Sequence, residues 1–576
     1  MNDVIKLLRQ AGLSELACQF AAYIQRHDSS QDQLVALTAG LVSDAVSQGH
    51  VCLNLQQASE MYQGVSDVLP EITEWQTRLK NSAVVGADNE YRPLILTENG
   101  LVYLYRYWQD ERHVAKAIKQ RSQTTLAIDS EQLKQDFSGW NSSTDGIDWQ
   151  KVAVIMALSK QFCVISGGPG TGKTTIVLRI IQSLLKQSHP PRIALAAPTG
   201  KAAARLQQSI GNSDSDRLQA KTLHRLLGIS AQFEQGRYDA ERPLPFDVVI
   251  VDEASMIDIS LMAKLLHALA PSTRLVLLGD SQQLASVESG AVLANLCEHA
   301  MTFSQQFADK VKTISGIELK IEPSTQTSLS DSVVTLQQSY RFAGDSDIGR
   351  LAQAIQAARA DDVIELISNS TETVWHQQPD LTVLIAGYHA YFDLIKTAKI
   401  PLECIKAFDG YRVLCALKQG PYSVVSVNQL IEQNLARHGW RSQQDFYHGR
   451  PIMISQNDYR QQLFNGDTGL ILKDDSGDLR ACFLIDNTLR WVDLSRLPAH
   501  ETAYAMTIHK SQGSEFDAIS VLLPDQDNSM LNRELLYTAI TRAKKQLMIV
   551  ANEAILRKTI STQHQRESGL AQLLAQ

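Results

Sequence analysis

The stretch Phe162–Ile176, Phe-Cys-Val-Ile-Ser-Gly-Gly-Pro-Gly-Thr-Gly-Lys-Thr-Thr-Ile, constrains this chain more than any other. An apolar run short enough for a buried strand feeds a glycine loop, and Ile176, Val177, Ile180, Ile181, Leu184 and Leu185 then recur at helical spacing. Strand, glycine loop and helix in that order form a cradle for nucleotide phosphates. Gly167, Gly170 and Gly172 permit backbone angles closed to other residues, so successive N–H groups can turn inward, and the helix N-terminus adds partial positive charge. Gly168, Pro169, Thr171 and Thr175 complete the binding run. Lys173 supplies a full charge, and Thr174 a hydroxyl ligand for Mg²⁺.

At 576 residues the chain is too long for one core, and three or four domains are expected. With 44% hydrophobic and 20% charged residues it has an ordinary globular composition. No apolar run reaches the length of a membrane span, and Met-Asn-Asp-Val-Ile-Lys at the start lacks the pattern of a signal peptide, so a cytoplasmic protein without membrane partners is expected. The seven cysteines are scattered singly, without a Cys-x-x-Cys pair, and suit reduced core positions better than metal ligation. A net charge of −8 argues against a broad basic field coating duplex DNA. It leaves room for a narrow groove that holds a single strand through amides and hydroxyls.

Along the chain, residues 1–120 carry apolar residues at helical spacing and no chemical motif, which suggests a helical packing or docking domain. Residues 121–148, ending in a run dense in turn formers, suggest a linker. From Trp149 short apolar runs alternate with helical patterns, as in an α/β fold with parallel strands. Four of these runs, Phe162–Ser166, Ile193–Ala197, Val248–Val251 and Leu275–Leu278, each lead into a polar signature, and a doubly wound sheet would gather those signatures in one crevice. Residues 302–332 turn polar and suggest a flexible insertion at the end of this first unit, which spans 149–335. A second α/β unit over 336–576 is expected from strands at Thr382–Ile385, Arg412–Cys415, Ala518–Leu522 and Leu547–Val550. Thr468–Lys473, Arg480–Ile485 and Arg490–Val492 suggest hairpins of a small β module inserted near 440–500.

Several polar groups carry chemistry. Asp252 and Glu253 end an apolar strand, where one acid can hold Mg²⁺ and the other polarise water for attack on a γ-phosphate. Gln283 offers an amide to that phosphate, although Asp280 nearby also suits a helix cap. Arg341 and Arg542 each sit in an apolar, helix-like setting and need an anionic partner, either a γ-phosphate or a structural carboxylate. The run Thr507–Asp517, dense in hydrogen-bond donors, suits a nucleic-acid backbone or a capped turn. Thr222 and His224 could serve a strand similarly, or His224 could simply pack. A P-loop kinase or GTPase would account for Gly167–Thr174 but would leave both arginines and the Thr507 run without a task. An ATP-binding scaffold would not need Glu253, Gln283 and both arginines.

In order and spacing these signatures resemble the superfamily-one DNA helicases over about Trp149–Ala551. Within them Ile-Ser-Gly-Gly-Pro-Gly-Thr-Gly-Lys-Thr-Thr, Val-Asp-Glu-Ala-Ser-Met-Ile-Asp and Leu-Leu-Tyr-Thr-Ala-Ile-Thr-Arg-Ala-Lys resemble the RecD-like family. The resemblance implies two tandem RecA-like P-loop motor domains, with ATP and Mg²⁺ as ligands. It implies that Gln150 reads the adenine, that Lys173 and Thr174 hold phosphate and metal, that Asp252 holds the metal and that Glu253 activates water. Gln283 would then sense the γ-phosphate, and Arg341 and Arg542 would stabilise its transition-state charge. Thr199, Thr222, His224, Thr507 and His509 fall in motifs that face single-stranded DNA, with 5′ to 3′ movement along it. A hairpin near 229–245 would act as a pin at the fork. RecB-like and RecC-like subunits would complete a hetero-trimer acting on duplex ends, with nuclease activity supplied by a partner. The stand-alone group of RecD-like helicases has longer N-terminal extensions with helix–hairpin–helix glycine turns, a pattern missing from residues 1–120.

Overall fold

The computed structural model describes residues 2–88, 90–140, 146–210, 218–230, 233–298, 301–321, 327–340, 346–378, 382–397, 400–437, 445–458, 460–485 and 488–575. The N-terminal region packs the helices Glu15–His27, Gln33–Ser47 and Ile72–Lys80 around a core in which the Trp75 indole donates to Thr38 Oγ1 at 2.8 Å. It is not wholly helical. Strands β1 (Leu53–Asn54), β2 (Val85–Gly86), β3 (Leu94–Leu96) and β4 (Leu101–Leu104) form a sheet in the order β1-β4-β3-β2. None is long enough to show an alternating pattern in sequence.

The first α/β unit is built on β5 (Phe162–Gly167), β6 (Ile193–Ala197), β7 (Ala220–Thr222), β8 (Val248–Val251), β9 (Arg274–Gly279) and β10 (Val333–Leu336). They run all parallel in the order β10-β5-β9-β8-β6-β7. Continuous apolar strands such as Phe-Cys-Val-Ile and Val-Val-Ile-Val are buried on both faces, as a parallel sheet covered by helices requires. Two expectations change here. Within the supposed linker, Ser130–Ser138 is a helix that places Leu133 and Phe137 in the core of this unit. The supposed flexible insertion holds the helix Gln305–Ser315, N-capped by Ser304, and Phe303, Phe307, Val311 and Ile314 join the same core. Their intervals of three and four are those of a helix face, which the polar residues between them mask. Phe307→Ala is therefore expected to destabilise the protein by about 3–5 kcal/mol in urea titration. A mobile insertion would leave stability unchanged.

The second unit contributes β11 (Thr373–His376) and β12 (Tyr411–Cys415). The chain then leaves for β13 (Arg450–Ile454), β14 (Thr468–Lys473), β15 (Leu479–Ile485), β16 (Thr488–Asp493) and β17 (His500–Thr502), and returns through β18 (Ala505–Thr507), β19 (Phe516–Leu522) and β20 (Ala543–Val550). The main sheet is parallel, in the order β11-β20-β19-β12-β18. The excursion is an antiparallel module, in the order β16-β15-β14-β13-β17, around Ile452, Ile454, Leu463, Ile471, Ala481, Phe483 and Val492. Thr382–Ala386 is a helix and not a strand. Its Leu384 and Ile385 are buried together with Tyr388 of the following turn and with Phe392 and Ile395 of the next helix, His389–Thr397.

Two further segments depart from expectation. Near 229–245 the described residues show one isolated antiparallel bridge, Ser230 to Phe233, and no pair of strands. Residues 563–575 do not finish the second unit. The helix Leu570–Ala575 buries Leu570 and Leu574 in the core beside the helix Tyr105–Ser122 and the first sheet. No helix among the described residues is long and apolar enough to cross a membrane.

Candidate active site between the two α/β units

The site grows from the carboxyl end of β5. Gly170 and Gly172 have φ of 78° and 85°, so the loop turns through left-handed backbone as the phosphate-cradle reading requires. A Cβ on Gly172 would stand 2.3 Å from Gln150 Nε2, and one on Gly168 would stand 3.0 Å from the Tyr537 hydroxyl. Gln150 is placed on the loop itself, its amide donating to Thr171 O at 2.9 Å. The Lys173 ammonium donates to Gly167 O at 2.5 Å and Gly168 O at 3.0 Å, so it lies over the loop mouth. Thr174 is half-buried and Thr175 exposed at the start of the helix Lys173–Leu185.

Two strands away β8 delivers the acids. Glu253 has φ 54°, an uncommon value for a residue with a side chain, and its N–H donates to Asp252 Oδ1 at 2.9 Å. Burial and the Glu253 charge push the Asp252 carboxyl up, and Lys173 opposes them. An acid held short of solvent beside a second acid is a fitting seat for a divalent cation, which would relieve both costs. Thr174 and Asp252 are the residues that would hold it.

β9 delivers Asp280, which is buried and accepts from Gln282 N–H at 3.1 Å, Gln283 Nε2 at 3.0 Å and Tyr537 Oη at 3.1 Å. No helix follows Asp280, so the helix-cap expectation is not met: the Asp280–Gln282 contact closes a turn, and Gln283 is tied to the same acid. Tyr537 belongs to the second unit. So do Thr538, whose hydroxyl accepts from Leu284 N–H at 2.8 Å, and Gln512, which donates to Leu284 O at 2.8 Å. From the segment after β10, Ser339 Oγ donates to Pro169 O at 3.1 Å and Tyr340 N–H to Gly170 O at 2.8 Å. A cavity of about 630 Å³ between the units is lined by Gly167, Gly168, Asp280, Ser339, Gln353 and Tyr537. That volume is in the range of a small-molecule site.

Arg542 ends the helix Arg533–Ile540 side of the cleft. It is 3% exposed and donates to Thr538 O at 3.1 Å, Ser514 O at 3.3 Å and Thr541 Oγ1 at 3.4 Å. It forms no ion pair among the described residues. Burial lowers its pKa, and the nearby charges of Glu253 and Glu515 hold it up. Its hydrogen bonds all lie within the second unit, while the charge of Glu253 in the first bears on it. Arg341 lies outside the described residues. Arg205 of the first unit pairs with Glu515 of the second, a cross-cleft contact not foreseen in sequence.

The residues expected to face a strand stand at or just beyond the carboxyl ends of strands at or next to a sheet edge. Thr199 follows β6, Thr222 ends β7 and Thr507 ends β18, and their hydroxyls cap local turns by accepting from Ala202, Arg225 and Lys510 N–H at 3.3, 3.2 and 3.3 Å. His224 is exposed next to Thr222. Burial and the Arg566 charge push His509 down to about 4, so it is a neutral ring at pH 7. Tyr537, Thr538 and Gln512 were not singled out from the sequence. All three lie inside runs whose sequence points to Arg542 or to DNA, and only the fold shows that they join the two units.

Comparison with known proteins then decides the family. The chain is 36% identical to RecBCD enzyme subunit RecD of Haemophilus influenzae, over 94% of this chain and 93% of that protein. The chain belongs to the RecD family. RecBCD enzyme subunit RecD of Mycolicibacterium smegmatis is also 36% identical, over 94% of each chain. The ATP-dependent RecD2 DNA helicase of Deinococcus radiodurans is 28% identical over 83% of this chain, which spans only 59% of that protein. Family models match RecBCD enzyme subunit RecD, N-terminal domain, at 9–103, an AAA domain at 150–289 and a UvrD-like helicase C-terminal domain at 502–550. The two α/β units of this RecD-family chain are therefore the paired motor domains of an ATP-dependent DNA helicase.

Proposed function

We propose that this helicase moves 5′ to 3′ along single-stranded DNA as one motor of a cytoplasmic RecBCD-type helicase–nuclease, using ATP and Mg²⁺. One observation carries the reading: Arg542 of the second unit is buried without an ion pair among the described residues, and the charge of Glu253 of the first bears on it. In that arrangement Lys173 and the loop amides hold the phosphates, Glu253 orients water, and Gln283 and Arg542 meet the charge that grows as the γ-phosphate leaves. Mg²⁺ on Thr174 and Asp252 would neutralise part of that charge. Because Leu284, Gln512 and Thr538 form one hydrogen-bonded cluster, a change at the phosphate is passed to the Thr507–His509 segment, altering its grip on the strand.

The complex-bound form is favoured over a stand-alone helicase because the chain spans nearly the whole of the RecD subunits but little over half of RecD2. RecB-like and RecC-like partners, docking through residues 1–120, would bring the complex to duplex ends and supply the nuclease. The test is ATP hydrolysis by the full-length chain with and without single-stranded DNA, followed by unwinding of duplexes tailed at either end. Strong stimulation by DNA and a requirement for a 5′ tail are expected. Hydrolysis indifferent to DNA would point instead to a P-loop enzyme of another class.

A further inference from the structure

The UvrD-like match ends at residue 550, and the residues beyond it have no assigned role. After the helix Glu553–Ser561 the chain leaves the second unit and runs across the first. Arg566 then places its guanidinium on one short loop. It donates to Ser286 O at 2.5 Å, Glu288 O at 2.6 Å and Gly290 O at 3.0 Å, and its Nε donates to His564 Nε2 at 3.1 Å. Gly49 makes room for it, since a Cβ there would lie 2.9 Å from the Arg566 Cζ. Among the described residues Arg566 forms no ion pair, so its donors serve to fix backbone and not to neutralise an acid.

That loop, residues 286–290, is the direct continuation of Asp280–Leu284, the segment that carries Gln283. Its far side is fixed too. Gly290 N–H donates to Gly49 O at 2.9 Å, and Ser289 Oγ donates to Val46 O at 3.0 Å. Beyond Arg566 the chain is anchored independently. Val51 N–H donates to Glu567 O at 2.8 Å. Buried Glu111 accepts from Gly569 N–H at 3.1 Å and from Ser568, and Leu570 and Leu574 close the core. The charge of Arg566 also lowers the pKa of His509 and His564.

We propose that residues 562–566 form a strap by which the second motor unit holds the sensor loop of the first, with Arg566 as the positioning residue for hydrolysis. The inference rests on the motor reading. The strap adds a third hold on the segment Asp280–Gly290, after Tyr537 at its start and Thr538 with Gln512 at Leu284. Release of that hold leaves nucleotide and DNA able to bind while Gln283 loses its set position.

The test compares Arg566→Ala, Arg566→Lys and Glu111→Gln in the full-length chain. Arg566→Ala is expected to lower the DNA-stimulated kcat at least about tenfold, with KM for ATP and affinity for single-stranded DNA within about twofold of the starting protein. Arg566→Lys, with one ammonium for three carbonyls, recovers only part of that loss. Glu111→Gln loosens the far anchor without touching the loop and keeps the stimulated kcat. An unchanged kcat in Arg566→Ala overturns the proposal, and so does an equal loss in Glu111→Gln. If the alanine variant melts near the assay temperature, the lysine variant carries the same expected split. Intact hydrolysis in Lys173→Gln would sink the motor reading itself, whereas an inactive Lys173→Gln beside a normal Arg566→Ala sinks only the strap.

Discussion

Lys173→Gln is expected to abolish ATP hydrolysis and strand separation together, lowering the DNA-stimulated rate by at least about 10²-fold, while the protein melts at nearly the same temperature. Glutamine is one atom shorter and keeps a polar, hydrogen-bonding end but removes the charge. The ammonium is half-buried and holds only the carbonyls of Gly167 and Gly168, bonds whose net contribution to folding is on the order of 1 kcal/mol each. The loop keeps its shape without them, because Gly170 and Gly172 set the turn, Gln150 holds Thr171 O, and the Thr171 hydroxyl donates to Gly168 O at 2.8 Å. The loss therefore falls on the reaction, where a full charge faces the phosphates. Phosphate release and strand displacement, measured beside a thermal melt, check it. Unwinding driven by ATP in the purified variant would remove the basis of the motor assignment.

The phosphate loop, the acidic pair and the parallel strands that carry them were legible because their signals are local. A buried parallel strand needs an unbroken apolar run, and a phosphate loop needs glycines at fixed offsets, whatever lies elsewhere in the chain. The inserted β module was legible for a similar reason, since Thr468–Lys473 and Arg480–Ile485 have room to show strand patterning. Signals that depend on distant packing were lost. Phe303, Phe307, Val311 and Ile314 read as a thin scatter among polar residues until the helix Ser130–Ser138 is known to lie beside them. Thr382–Ala386 reads as a strand because five residues cannot separate a period of two from one of 3.6. The same holds for the site. Tyr537 and Thr538 carry no chemistry of their own and gain a role only when β9 brings Asp280 and Leu284 opposite them. Arg566 is further removed still, since its partners are backbone carbonyls, which no side-chain pattern can announce.

Replacing Arg542 is expected to slow hydrolysis by about 10³-fold or more without weakening ATP binding by more than a few-fold. The direction follows from where the guanidinium finds its partners. In the described structure they are Thr538 O, Ser514 O and Thr541 Oγ1, with Glu253 and Glu515 nearby and no ion pair. A buried cation so placed pays for desolvation without a matched carboxylate to offset it, which makes it a poor choice for a strut. Arg542→Met fills a similar volume and removes that cost, so it should melt at the same temperature as the starting protein or higher while its turnover collapses. Arg542→Lys keeps the charge but loses the planar fork, and a shorter reach to the γ-phosphate should leave it nearly as slow. Single-turnover hydrolysis separates this from a binding defect, because the chemical step slows while the nucleotide still saturates at a similar concentration. A methionine variant that melts several degrees lower and turns over normally would show that Arg542 holds Ser514 and Thr538 together and does nothing at the phosphate. Stability held or raised with catalysis lost is the signature of a charge kept in the cleft for the transition state.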